Sequence, residues 1–426
     1  MSRPDTNLWR VSSAETLAAP GIAEDASADL VIIGGGFTGC SAALEAARRG
    51  ARVILLEART IGHGGSGRNV GLVNAGLWLP PDDVLAITGE RAGHRLLGAL
   101  AEGPATVWRI IAREDIDCDP VRRGTLHLAH APAGLRDLRR RHRQGNRLGA
   151  PVQLLDAAET ARRVGSACFH GALWDPRAGT IQPLAYCRGL ARAARAAGAR
   201  LHENAQATAI RHQAGVWQVE SGGHLVRAPL LLMATNAYHD ALSGSAGPQF
   251  VPVSFSQFAT APLPPDLRRR ILPGGEGCWD TATVMTSLRM DRDGRLILGA
   301  IGNVEGAGGP VHAAWARRKL RRLFPELAGQ PFANVWRGRI AMTGDHVPRI
   351  VRLGPGGLNV FGYSGRGIAP GTVFGTAAAA ALLEGDEDAL PLPVSAAHDE
   401  RMTALRGICY ETGATLAHLA GPVPFR

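Results

Sequence analysis

The sequence predicts an α/β (α+β) fold, in which a Rossmann-like nucleotide-binding domain assembled from discontinuous segments is joined to an antiparallel-sheet domain. Three observations predict it. Asp29 to Ala58 reads as an apolar strand, a glycine turn, a small-residue helix and a second apolar strand. A second strand, glycine turn and small-residue helix lies far along the chain at Leu358 to Ala380. Between them, segments of partly alternating polarity are joined by a tight turn.

With 426 residues, 45% hydrophobic and 20% charged, the chain suits a globular protein of two to three domains. Its 54 glycines, about 13% against a usual ~7%, call for many tight turns or close backbone approaches to a ligand. Forty-seven basic and 37 acidic residues leave a formal charge of +10. Lys319 is the only lysine, so the excess is almost all arginine in an alanine-rich chain and is a weak sign of a nucleic-acid or anionic partner. Cys40, Cys118, Cys168, Cys187, Cys278 and Cys409 form no C-x-x-C, and no histidine pair has ligand spacing, which argues against a metal site and a disulfide framework. The N-terminus lacks a basic start followed by an apolar stretch, and no apolar run reaches the ~18 residues of a membrane span. A cytoplasmic protein without a membrane span is expected.

In the first βαβ unit, Gly34, Gly36 and Gly39 form G-x-G-x-x-G, with Phe37 and Thr38 opening the helix whose N-terminus faces phosphates. Glu57 ends the second strand about 20 residues beyond Gly36, where a carboxylate accepts hydrogen bonds from ribose hydroxyls. A glycine turn alone also occurs between packed elements. Strand, helix, second strand and acid together point to a bound ADP moiety, hence a dinucleotide.

A loop follows from Ala58 and Arg59 through Gly62, Gly64, Gly65, Ser66, Gly67, Arg68, Asn69 and Gly71 to Leu72. No third strand-helix repeat begins there, as a nicotinamide domain would require, and the loop offers backbone donors, a hydroxyl and a guanidinium to a further stretch of cofactor. With the GGGFTG turn, the SGRN loop and the later segments PLLLMATNAY, WRGRIAMTGDHVPRI and LNVFGYSGRGIAPGTVFGTAAAA, the chain resembles the FAD-dependent amine and amino-acid oxidoreductases of the D-amino-acid oxidase superfamily. Within that superfamily it is most similar to the gamma-glutamylputrescine oxidase-like branch, from about Leu8 to about Gly385.

The resemblance implies FAD, with Thr235 and Asn236 at the end of the apolar strand in Pro229 to Tyr238, Ala207, and Gly338 close to it; no local motif requires attachment through Cys278 or a histidine, so the FAD is expected to be noncovalent. It also implies that backbone amides at Gly365, Arg366, Gly367 and Ile368, at a helix start, face the flavin's pyrimidine oxygen. N- and C-terminal motifs must then meet around one ligand. The FAD-binding domain accordingly takes residues 1–95, 180–245 and 335–426, and the substrate-binding domain residues 96–179 and 246–334. Gly179 to Asn204 reads as a turn, a helix after Pro183 and a strand returning to the FAD domain, although an ordinary αβ unit reads the same way. Phe250 to Leu263 and Arg289 to Gly299, with a turn at Asp293-Gly294, are expected in a substrate sheet over the flavin. The segment Arg295 to Leu320 fails the spacing of a second dinucleotide site. The basic runs Arg139 to Arg143 and Arg317 to Arg322 read as solvated helix faces without interleaved aromatics, so no nucleic-acid partner is expected.

The resemblance implies an FAD-dependent oxidase of a primary or secondary amine, a gamma-glutamylated polyamine or an N-substituted amino acid. Hydride transfer from the C–H alpha to nitrogen, imine hydrolysis and reoxidation by O2 to H2O2 would follow. Two alternatives stand beside it: a dehydrogenase of the same fold passing electrons to a quinone or protein, and a non-catalytic flavin-binding protein. Candidate catalytic residues are Arg68, His63, Gln257, Trp336 and Tyr363; Trp336 and Tyr363 suit a pocket wall and core packing equally. Two departures from the family matter. Lys319, the sole lysine, lies in a basic run rather than in the flavin motifs, which favours the dehydrogenase. Arg366 places a cation in the closing turn, where it suits a substrate carboxylate or solvent. Nothing in the sequence specifies an oligomeric state.

Overall fold

A computed structural model describes residues 7–239, 242–245 and 249–420; the first six residues of the N-terminal segment lie outside them. Two sheets carry the fold. The first has six strands, in the order Arg349–Gly354, Gly357–Phe361, Leu230–Met233, Leu30–Ile33, Val53–Leu56 and Arg200–His202. All pairs are parallel except the first, which is an antiparallel hairpin.

Its central strands are continuous apolar runs because both faces are covered. Leu30, Ile32, Val53 and Leu55 point into a core with the helices Phe37–Arg48, Pro183–Ala196 and Ile368–Glu384. Val31, Ile33, Ile54 and Leu56 point the other way, against a small sheet of Ala26–Ser27, Ala207–Gln213, Val216–Ser221 and His224–Ala228. The small residues foreseen in the two helices serve close crossing: a side chain on Gly375 would run into the Thr38 backbone, and one on Gly371 would meet Phe37. The helix that opens the first glycine turn and the helix that follows the last are thereby locked together.

The second sheet has eight strands, in the order Phe332–Met342, Val251–Thr260, Leu296–Ile301, Thr286–Met290, Gly277–Asp280, Thr125–Leu128, Ala172–Asp175 and Gln153–Leu155. Pairing is antiparallel except between Gly277–Asp280 and Thr125–Leu128. The turn foreseen at Asp293-Gly294 joins two of these strands, with Gly294 at φ +83°. Leu126, Cys278, Leu288 and Leu298 pack with Ala316 and Leu320 of the Gly309–Leu323 helix, leaving the other face to the site. The boundary expected at residue 335 falls inside Phe332–Met342, which is hydrogen-bonded along Val251–Thr260 and so belongs to the eight-stranded sheet as far as Met342. The boundary expected after residue 95 likewise falls inside the Glu90–Ala101 helix.

Both basic runs lie on helices, Pro132–Arg147 and Gly309–Leu323, with Leu138 and Leu320 buried and Arg139, Arg140, Arg143, Arg317, Arg318, Arg321 and Arg322 exposed. The segment weighed as a second nucleotide motif supplies an antiparallel strand, Leu296–Ile301, instead of a Rossmann strand. The last described helix, Thr403–Ala420, docks on Gly309–Leu323 through His418, whose Nδ1 lies 2.7 Å from His312 Nδ1. Among the described residues, no helix is long and apolar enough to cross a membrane.

Candidate active site

A cavity of about 710 Å³ lies where the carboxyl ends of the parallel strands face the eight-stranded sheet. At its first end Gly34, at φ +109°, approaches Ala234 so closely that a Cβ would lie 2.8 Å from its carbonyl oxygen. The two strand ends can meet only because Gly34 has no side chain. Gly35 N and Arg59 N donate to the two oxygens of Glu57, at 2.7 and 2.9 Å. Burial raises the Glu57 carboxyl above its usual range, while these amide donors oppose the rise. Each carboxylate oxygen keeps acceptor capacity for a ligand hydroxyl.

The cavity brings together most of the predicted cofactor contacts: Gly34, Gly36, Phe37, Thr38, Glu57, Ala58 and Arg59 from the first unit, and Gly65, Ser66, Arg68, Asn69 and Leu72 from the loop. Ala207, Thr235, Asn236, Gly338, Gly365, Arg366, Gly367 and Ile368 line it as well, with His63, Gln257 and Tyr363. Four expectations are corrected. Gly39 abuts the Gly34 carbonyl, Gly67 the Gly62 carbonyl and Gly71, at φ +86°, the Ile181 carbonyl, so these three pack the backbone and do not line the cavity. Trp336 is not a pocket wall either. It is 2% exposed, packs edge-on against Trp9 at 5.8 Å, and donates from Nε1 to Arg68 O at 2.9 Å, behind the loop.

The loop's shape is set by side chains bonding to backbone. Arg68 donates to His63 O at 2.8 Å and to Arg337 O at 3.0 Å, tying loop to sheet. Asn69 donates to Gly65 O and Ser66 O and accepts from Gly71 N. Phe37 N donates to Ser66 Oγ at 3.0 Å, which brings the loop onto the first helix. Arg289, which the sequence did not single out, lies under this loop at 1% exposure and donates to Ile181 O; burial pushes its pKa down to about 10.

At the closing turn, Tyr363 OH and Thr38 Oγ1 are 2.7 Å apart, and burial raises the phenol so that it stays protonated. Arg366 Nη1 donates to Ala75 O and Leu77 O at 3.1 and 2.8 Å. Its guanidinium carbon sits 5.0 Å from the Trp279 ring centroid, and among the described residues no carboxylate is within salt-bridge distance. Burial, reinforced by Arg141 and opposed by the charge of Asp175, pushes its pKa down to about 9. Trp279 and Ser287, also cavity-lining, were not foreseen: GCWD is buried at all four positions and offers no alternation to read. Trp279 Nε1 and Gln257 Oε1 are buried without a hydrogen-bond partner among the described residues.

A glycine cradle that any Cβ would fill and a buried acid at the strand end fit an extended dinucleotide. The family model described as FAD dependent oxidoreductase matches residues 29–381. The chain is 33% identical over 350 residues to gamma-glutamylputrescine oxidoreductase of Escherichia coli (strain K12), covering 81% of each. It is 31% identical over 343 residues to the probable oxidoreductase OrdL of Rhizobium meliloti (strain 1021), covering 80% of this chain and 79% of that one. The crystal structure of glycine oxidase from Geobacillus kaustophilus superposes with a TM-score of 0.72 at 23% identity, over 87% of this chain and 99% of that one, a likeness of fold.

Proposed function

The chain belongs to the FAD dependent oxidoreductase family, and from that premise we propose that it oxidises a primary or secondary amine that carries a carboxylate. It is an FAD-dependent oxidoreductase acting on amines or amino acids. The candidate substrates are a gamma-glutamylated polyamine and an N-substituted amino acid. The observation that carries the carboxylate is Arg366, a cation in the cavity wall anchored to two carbonyls, with Asp175 acting on it from beyond salt-bridge distance and no carboxylate paired to it among the described residues.

Bound FAD would supply the two-electron oxidant for the C–H bond alpha to nitrogen, with O2 as the final acceptor, reduced to H2O2 by the two electrons and two protons that the amine loses. The nitrogen lone pair closes a C=N bond in the substrate, and water hydrolyses the resulting imine. This chain's residues do the rest. Gly34 to Phe37 and Glu57 hold the ADP half, without any covalent link, and the Gly65 to Asn69 loop holds the middle. Backbone amides at the start of the Ile368–Glu384 helix stabilise negative charge placed before them. Tyr363, bonded to Thr38, pins that turn to the glycine cradle, while Trp279 and Phe255 keep water from the reacting carbon.

A second reading, a dehydrogenase that passes its electrons to a quinone or protein, is favoured by the position of Lys319. The sole lysine is ion-paired to Asp280 at 2.9 Å and is absent from the cavity lining, so no ammonium assists O2 there. Mixing the purified holoenzyme anaerobically with amines and amino acids, then admitting air, separates the readings. Bleaching with rapid recovery and peroxide identifies the oxidase, and bleaching with slow recovery the dehydrogenase.

A further inference from the structure

The Thr403–Ala420 helix has two unlike faces. Its inner face is fully used. Ala414 and His418 are buried, Tyr410 packs with Val251, Val253 and Met342, and a side chain on Gly407 would meet the Pro252 carbonyl oxygen. Its charges turn to the protein as well, Arg406 onto Glu400, and Glu411 onto His312 and the Asn303 amide. On the outer face, every exposed residue from Met402 to Ala420 is uncharged.

Among the described residues eight large apolar side chains are exposed, and five of them sit here: Met402, Leu405, Ile408, Leu416 and Leu419, each 55–68% exposed. Together they present roughly 500–600 Å², about the largest apolar patch that a monomer shows to water. Cys409, Thr412 and the exposed alanines between them extend the face toward the about 800 Å² that each partner buries in a specific dimer. The spacing selects the partner. Met402, Leu405, Cys409, Thr412, Leu416 and Leu419 follow one another at alternating intervals of three and four residues, the repeat of a helix that pairs with another helix. A helix lying on lipid needs no such repeat, and carries cations along the edges of its apolar face.

The cations here stand at one end instead. Arg318 donates to His418 O, and Arg321 and Arg322 follow it, exposed, on the Gly309–Leu323 helix. Two copies of the stripe laid parallel would bring these like charges together. Laid antiparallel, they hold them about 25 Å apart at 1.5 Å per residue, well beyond the ~8 Å screening length at physiological salt. We infer that the stripe is the seam of a two-fold dimer in which this helix packs antiparallel on the same helix of a second copy. The axis passes through the middle of the stripe, between Cys409 and Thr412. Met402 then meets the partner's Leu419, Leu405 the partner's Leu416, and Cys409 the partner's Thr412, so the same surface serves both copies.

The experiment measures the mass of the holoenzyme by light scattering after gel filtration, for the wild type, L405E and L416E. All three should carry FAD at the wild-type level, since both leucines are exposed and far from the cavity lining. The wild type should run as a dimer, and each variant should raise the dimer dissociation constant about a hundredfold or more, because it puts an unpaired carboxylate in an apolar seam. The register has its own test. T412C sets a thiol against the partner's Cys409, so diamide should link it into a covalent dimer, while wild type and the C409S/T412C double variant stay unlinked. A monomeric wild type at every concentration, or a dimer that both glutamates leave intact, overturns the proposal. A monomer that sediments with phosphatidylserine vesicles, and no longer does so as L416E, overturns it in favour of a lipid surface. A dimer that L405E dissolves but T412C does not link overturns the antiparallel register.

Discussion

Arg366 lies over the indole of Trp279, 5.0 Å from the ring centroid, and the two belong to different sheets: one follows the last strand of the parallel sheet, the other sits within the antiparallel sheet. Their contact closes the cavity at the point where both layers meet. Replacing Arg366 with Gln keeps a donor but removes the charge. KM for a carboxylate-bearing amine should rise about a hundredfold, by the usual cost of losing a buried charge partner. KM for an amine without a carboxylate should hardly change, and steady-state kinetics on the pair checks this.

The same cation should show in pH dependence. Burial places the Arg366 pKa at about 9. Its charge is complete well below that value and lost as pH rises through it, so affinity for a carboxylate inhibitor should fall above about pH 9. R366Q should lack that fall. A flavin-perturbation titration with the inhibitor from pH 7 to 10.5 measures it.

Glu57 binds two backbone amides and faces the cavity. E57A leaves Gly35 N and Arg59 N without their acceptor and removes the ribose contact proposed for this acid. Dissociation of FAD should increase roughly tenfold to a hundredfold, at about 1–3 kcal/mol for the orphaned donors. Fluorescence of FAD released on dilution reports it, and unchanged retention would remove Glu57 from the site.

Gly375 touches the Thr38 backbone across the helix crossing. A methyl group there forces the helices apart, so G375A should cost about 1–3 kcal/mol of stability by overpacking. Because Thr38 lies in the first turn of the Phe37–Arg48 helix, whose N-terminus is proposed to face the FAD phosphates, FAD affinity should fall with it. Thermal unfolding with and without excess FAD separates the two effects.

His418 is held neutral, its pKa pushed down to about 3 by burial and then by His312, Arg318 and Lys319 around it; Glu411, bonded to His312 Nε2 at 2.9 Å, is the nearby acid. The unfolded chain takes up this proton near pH 6.5 and the docked helix does not until about pH 3, so docking stability is lost as pH falls between those values. Trp315 stacks on His418 at 4.0 Å, and its fluorescence should report release of the Thr403–Ala420 helix. H418F, which keeps the stack, should flatten the pH profile.

The elements legible from sequence were those whose backbone leaves few choices. Gly34, Gly36 and Glu57 were readable because a strand-to-helix turn on phosphate needs residues without side chains, followed by an acid at a set distance. The closing turn at Gly365 to Ile368 was readable as strand, glycine turn and small-residue helix, while its part toward the flavin came only from the resemblance. Trp336 suited a pocket wall and the core equally from sequence, and the core won because Trp9, from the start of the chain, covers it on the same row as Gln257. Trp279 and the His312 to His418 contact were not legible, since each depends on residues more than 100 positions apart meeting in space.

The most direct test of the central claim is the anaerobic flavin spectrum of the holoenzyme mixed with a carboxylate-bearing amine. The predicted result is loss of the oxidised flavin absorbance at a rate that saturates with amine and that R366Q shifts to higher concentration. An oxidised spectrum unchanged by every amine and amino acid, in protein that retains FAD, would contradict it.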